Sequence, residues 1–391
     1  MRGEGEVIYW DNAATTWPKP VAVRRAVGQA LCRYGANPGR SGHRMSLATA
    51  EQMYACRQAA AGFFGLSDAA GVVFTPSCTY ALNTVVRGLL ETGGRVLTSD
   101  LEHNAVHRPA AALDGRYDVA AWSPDEEETV ENFLRAIRPD TRLLVCTHAS
   151  NVFGVTLPIR RLARLAHENG LLFCVDAAQT AGVLPIHMEL DDIDYLCVAP
   201  HKGLYAPMGT GLLLCREGER ISPLVRGGTG NLSMLAEQPP GLPERLESGT
   251  PNTAGICGAQ AGLAFVEGQG RQSIYTHEMR LLQRVYDGLR GQPGIRLYTP
   301  RPETGRAVPV LSFNVEGRPS EETARWLDER GIAVRAGLHC APQAHRRFGT
   351  LEGGTVRLAP SVFSTAEEAE KITEKILQIA EKRLHIAENM V

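Results

Sequence analysis

IRRLARLAHENGLLFCVDAAQ, residues 159–179, carries two patterns back to back. IRRLARLAHENG is amphipathic at helical spacing, whereas LLFCV is apolar throughout and ends on Asp176. An apolar run without alternation predicts a strand buried on both faces, as in a parallel sheet covered by helices. The same alternation extends in both directions. Upstream, GVVFT precedes the helix-like TYALNTVVRGLL, RVLTSD precedes a segment rich in His and Ala, and RLLVCTHAS precedes the amphipathic stretch. Downstream lie DYLCVAP and GLLLC. Residues 70–215 are therefore expected to form a mainly parallel α/β sheet.

From about residue 265 the pattern changes. A long helical segment, SIYTHEMRLLQRVYDGLRGQ, leads to PVLSFNV, a helix around EETARWLDERG, the strand-like GIAV and a final helix from Ala366. The expected division is an N-terminal segment 1–20, a large domain 21–264 and a smaller α/β domain 265–391.

Composition is that of a globular protein, with 43% hydrophobic and 21% charged residues among 391. A net charge of -2 offers no basic patch for nucleic acid and no polybasic membrane anchor. The start, MRGEGEVIYW, has no apolar stretch of signal-peptide length, and no run approaches the roughly 20 residues of a membrane span. A cytoplasmic location is expected. Nine cysteines are scattered without a CxxC pair, and Cys146, Cys174, Cys197 and Cys215 fall inside strand-like runs, where core packing is expected. Cys340 differs: RAGLHCAP, residues 335–342, puts it on a loop with Arg335 and His339. His339, Cys340 and His345 do not suggest a structural zinc, because adjacent strand residues point to opposite faces.

Ligands of open α/β sheets bind at the carboxyl ends of the strands. After GVVFT, Ser77 and Thr79 open a helix, as a phosphate seat or as ordinary caps. Asp176 and Gln179 end LLFCV, where a carboxylate needs a partner or caps a helix. His201 and Lys202 follow DYLCVAP; a lysine there forms a Schiff base or reaches to solvent. His103 and Asn104 end a fourth strand, and the imidazole stacks on an aromatic ligand or fills a packing gap. Phosphate seat, carboxylate, flat group and lysine are together what pyridoxal phosphate requires.

The fragments YWDNAATTWPKP, FTPSCTYALN, LEHNAVHRP, SNVFG, VDAAQTAG, PHKGLYAPMGTG, LESGTPNT, RAGLHCAP and GTVRLAPSVFSTAEE resemble the class V aminotransferase group, and within it the cysteine desulfurases. The resemblance runs almost end to end. It implies the aspartate-aminotransferase fold (PLP fold type I, with a seven-stranded sheet in the large domain) and a homodimer whose subunits share each site. It also assigns roles. Lys202 carries pyridoxal 5'-phosphate, Asp176 pairs with the ring nitrogen, Gln179 bonds the ring hydroxyl and His103 stacks on the ring. Cys78 (through its amide), Thr79 and His201 hold the phosphate, with Thr250 reaching it from the partner subunit. Asn151 and Arg357 bind the substrate carboxylate, with Arg335 and His339 alongside, and Cys340 is the nucleophile. The implied reaction turns L-cysteine into L-alanine and leaves a persulfide on Cys340 for an acceptor protein.

A thiolate is needed for that attack, and Arg335 or a protonated His339 is the expected source of positive charge. The RxGxHC pattern and the short gap from Cys340 to Arg357 resemble the Suf-type desulfurases and selenocysteine lyases. This implies weak basal activity raised by an acceptor, with L-selenocysteine as the alternative substrate. Ala199 and Pro200 depart from the pattern by removing a phosphate hydroxyl and a glycine, and HKGLYAP is one residue longer than in the Suf-type group. GGTGNLS, residues 227–233, is expected to be a flexible loop over the partner's site.

Overall fold

The computed structural model describes residues 7–39 and 42–388, with side chains through Glu381; the first six residues of the N-terminal segment lie outside it. The chain forms two compact units. The larger comprises Lys19–His148 and Leu157–Gln269, and the smaller Met1–Pro18, Ala149–Thr156 and Gly270–Val391.

In chain order the elements begin with β1 (Ile8–Tyr9), α1 (Val21–Arg33), α2 (Arg44–Phe64), β2 (Val72–Thr75), α3 (Cys78–Leu89), β3 (Arg95–Ser99), α4 (Asn104–Ala111) and β4 (Tyr117–Ala120). There follow α5 (Glu126–Ala136), β5 (Thr141–Thr147), α6 (Ile159–Glu168), β6 (Leu172–Asp176), β7 (Tyr195–Val198), β8 (Gly211–Cys215) and α7 (Thr253–Gln269). The remainder is α8 (Arg271–Leu289), β9 (Ile295–Leu297), β10 (Leu311–Val315), α9 (Ser320–Asp328), β11 (Ile332–Ala333), β12 (Arg335–Gly337), α10 (Pro342–Arg347), β13 (Thr355–Leu358) and α11 (Ala366–Glu388).

The larger unit holds a seven-stranded sheet in the order β2-β8-β7-β6-β5-β3-β4. Only β8 runs against its neighbours, so six strands share one direction and one carboxyl edge. This is the mainly parallel α/β architecture of PLP fold type I. Strands β2, β7 and β8 are buried at every residue, which accounts for their unbroken apolar runs. Cys146, Cys174, Cys197 and Cys215 are buried with them. The smaller unit pairs β1 with β11 and forms a four-stranded sheet β12-β13-β10-β9. Its core joins Trp10, Phe313 and Leu358 to Leu282 of α8 and Ile376 of α11.

Candidate active site

Asp176 is the last residue of β6, with Thr147 on β5 and Cys197 on β7 as register partners. Its buried Oδ1 accepts from the Ala178 amide at 2.9 Å and the Cys78 thiol at 3.6 Å. None of the described residues donates to Oδ2. Burial raises the pKa of this carboxyl, while the Ala178 amide and the Lys202 charge oppose the rise. The Cys78 thiol is itself pushed up by burial and by Asp176, so it stays a donor.

Lys202 lies in the turn after β7, its amide bonded to the Ala199 carbonyl at 3.1 Å and its carbonyl to the Tyr205 amide at 2.8 Å. Burial, then the charges of Lys202 and Lys19, lower the His201 pKa to about 4, leaving a neutral imidazole. Lys19 was not singled out from sequence. Its Nζ donates to the His201 carbonyl at 2.9 Å, and burial lowers its pKa to about 8. The only sequence signal was a lysine set between two prolines in WPKP.

Ser77 caps α3 by accepting from the Tyr80 amide at 3.2 Å. The amides of Cys78 and Thr79 precede any intrahelical acceptor and carry the positive helix end. A Cβ on Gly211 would stand 2.3 Å from the Ser77 carbonyl carbon and 2.7 Å from the Cys78 nitrogen. Only glycine lets β8 pass so close to the start of this helix.

His103 caps α4, half-buried, with Nδ1 accepting from the Ala105 amide at 3.0 Å. Beside it Glu102, also not singled out from sequence, is fully buried. It accepts from Ser99 Oγ and from the Thr147 amide at 2.9 and 3.0 Å, and burial raises its pKa to about 8. An acid just beyond an apolar strand was its signal. Gln179 is half-buried in the turn after β6, and Thr250 is exposed. Near Thr250 in the chain, Glu247 accepts both Arg57 Nη atoms at 2.7 and 2.6 Å. Segment 227–233 is irregular.

In the smaller unit, β12 runs into the residues that bear the thiol. His339 and Cys340 have φ of 48° and 58°, and the Ala341 amide donates to the Leu338 carbonyl at 2.9 Å. Positive φ at both central residues makes this a type I′ turn. Neither residue is glycine, so each left-handed conformation costs about 1 kcal/mol. Asn151 Nδ2 donates to the His339 carbonyl at 2.8 Å, and His339 Nε2 bonds to the Thr355 carbonyl at 2.9 Å. The His339 ring is buried and stacks on His345 at 5.8 Å. Burial, then Arg357, push its pKa down to about 2. The expected protonated His339 is therefore corrected: the ring is neutral because it is buried beside the Arg357 cation, which outweighs the opposing bond to the Thr355 carbonyl. The positive charge at the thiol is Arg335, whose Nη2 lies 4.0 Å from the exposed Cys340 Sγ.

Arg357, on β13 and 1% exposed, donates from Nη1 to the Asn151 carbonyl at 2.9 Å. Its Nη2 pairs with Asp11 at 2.7 Å, a partner not anticipated from sequence because it lies 346 positions away. Arg357 Nε and Asn151 Oδ1 are buried without partners among the described residues. The smaller unit thus brings Asn151, His339 and Arg357 together and sets Arg335 on the thiol.

The class-V aminotransferase family matches residues 8–372. A probable cysteine desulfurase of Methanothermobacter thermautotrophicus is 33% identical over 95% of this chain and 94% of its own length. A cysteine desulfurase of Klebsiella pneumoniae is 31% identical over 95% and 93%. Among solved structures, the cysteine desulfurase of Thermococcus onnurineus superposes with a TM-score of 0.88 at 30% identity, covering 96% of this chain and 95% of that one. With family residues matched nearly end to end on a seven-stranded sheet that carries Lys202 and Asp176 at its carboxyl edge, the chain belongs to the class-V aminotransferase family, in the company of its cysteine desulfurases.

Proposed function

We propose that the protein is a pyridoxal-phosphate-dependent cysteine desulfurase. The observation that carries the reading is the exposed Cys340 thiol with the Arg335 guanidinium 4.0 Å away, in a chain whose relatives bear that name.

The larger unit fits the cofactor. Among the described residues no donor is recorded on Asp176 Oδ2, where a protonated ring nitrogen would supply one, Lys202 provides an amine, and the amides of Cys78 and Thr79 suit a phosphate. Gln179, His103, His201 and, from a second copy, Thr250 complete the proposed set. When bound, pyridoxal phosphate supplies an aldehyde for amines and a ring that takes up electron density from the substrate Cα. Lys202 Nζ accepts the α-proton. Asp176 would face the ring nitrogen and hold its proton, with the Lys202 charge opposing the burial that raises the pKa of this carboxyl. Arg357 and Asn151 bind the substrate carboxylate with the donors their protein partners leave over. Cys340 Sγ, as thiolate, forms a bond to the substrate sulfur while the Cβ–S bond breaks. The carbon keeps the electron pair and takes a proton, giving alanine and a persulfide.

An acceptor protein then removes the outer sulfur. A homodimer is supported by exposed Leu232, Met234 and Leu235, which suit a second copy. A reducing, cytoplasmic setting is supported by nine free cysteines. No described helix is long and apolar enough to cross a membrane.

The test measures alanine from L-cysteine and from L-selenocysteine, with reductant, for wild type and Cys340→Ala. Loss of the cysteine reaction alone in the variant supports the reading. Turnover of selenocysteine by both proteins and of cysteine by neither makes the protein a selenocysteine lyase instead.

A further inference from the structure

Cys340 reacts in the proposed function, but nothing in that chemistry explains why a buried histidine precedes it. Residues 338–341 are held from three directions within the smaller unit. The turn is left-handed at both His339 and Cys340, which side chains resist unless their surroundings impose it. The His339 main chain is held by Asn151 Nδ2, 2.8 Å from its carbonyl. Its ring reaches the Thr355 carbonyl at 2.9 Å, and Thr355 pairs in register with Gly337, the last residue before the turn. Strand, turn and ring thus close on the neighbouring strand. Behind the ring His345 stacks at an interplanar angle of 24°, itself fixed by Thr350 Oγ1 at 2.8 Å. On β12, Arg335 pairs in register with Arg357 and aims Nη2 at the thiol.

We propose that His339 is a positioning residue for the sulfur nucleophile: its ring, bonded to the Thr355 carbonyl and packed on His345, holds residues 338–341 in the type I′ turn that keeps Cys340 Sγ beside Arg335. The kinetic consequence rests on the desulfurase reading; the structural one does not. The thiol reacts from one place, and an acceptor of its persulfide has to reach the sulfur there.

Two substitutions separate the ring from the backbone. His339→Asn tolerates positive φ but is too short for Thr355, whereas His339→Gln returns an amide donor at the reach of Nε2. Alanine formation from L-cysteine is measured alongside iodoacetamide alkylation of Cys340 in the holoprotein, followed on its own peptide. The expected result is an about tenfold lower kcat for His339→Asn with KM within about twofold, a similar fall in alkylation rate, and recovery to within about threefold in His339→Gln. Thr350→Val, which removes only the support behind His345, should move both rates the same way by less, and it serves if the His339 variants do not fold. A raised KM at unchanged kcat would overturn the proposal by making His339 a substrate contact. So would equal losses in Asn and Gln with unchanged alkylation, or no change in any variant. If wild type makes no alanine from L-cysteine, the desulfurase reading fails, and the alkylation rates still decide the role of His339.

Discussion

Arg335 lies 4.0 Å from the reactive sulfur in an exposed contact, where water screens the pair. Arg335→Ala should slow alkylation of Cys340 by up to about fivefold, corresponding to roughly 1 kcal/mol of lost interaction at an exposed contact. Cys32 is also exposed, so the rate must be followed on the Cys340 peptide by mass spectrometry. Added salt should slow wild type toward the variant; equal rates without salt would remove Arg335 from the mechanism. Glu102 makes the opposite kind of prediction. Its carboxyl titrates at about 8 when folded, against an ordinary 4.5, so the folded state holds the proton over that interval. Unfolding then releases a proton, and stability contributed by Glu102 is full below about 4.5 and declines by up to about 1.4 kcal/mol per pH unit until about 8. Buried histidines with lowered pKa act in the reverse sense between about 4 and 6.5, so wild type alone will not isolate the effect. The difference between Glu102→Gln and wild type does: urea unfolding should show the variant gaining on wild type as pH rises across this window. A constant difference would mean that Glu102 is ionised throughout.

At the scale of elements, the contact between β8 and the start of α3 depends on one missing methyl group. Gly211→Ala would press a Cβ onto main-chain atoms that cannot rotate away, at a cost of about 1–3 kcal/mol. Because those atoms open the proposed phosphate seat, cofactor affinity should fall with stability, as equilibrium dialysis would show. The sequence disclosed the sheet because strands buried on both faces read as unbroken apolar runs. It did not disclose that β8 is reversed, since an apolar run has no direction. Asp176 and Lys202 were legible as polar residues just beyond such runs. Asp11 and Lys19 were not, because what defines each is a partner far along the chain. The charge of His339 was misjudged for a related reason: burial and the Arg357 cation decide it, and neither is visible in RAGLHCAP.

For the whole molecule, a ligand that binds only the folded state must stabilise it. Pyridoxal phosphate at a hundred times its Kd should add about 2.7 kcal/mol, read as a higher Tm, and Lys202→Ala should lose most of that gain. An unchanged Tm in wild type would count against the cofactor assignment. The smaller unit is assembled from three separate stretches of chain, and its middle stretch, residues 149–156, interrupts the larger one. Asn151, which steadies the turn bearing the thiol, therefore precedes the residue it bonds by 188 positions. During synthesis at about 5–20 residues per second, Asn151 waits roughly 10 to 40 seconds for His339 to be made. The lysine and the aspartate are translated well before the cysteine. Arg357 follows the cysteine, so a ribosome that stalls in between leaves a product with the proposed cofactor lysine and aspartate but with neither the thiol nor the arginine that would grip an amino acid.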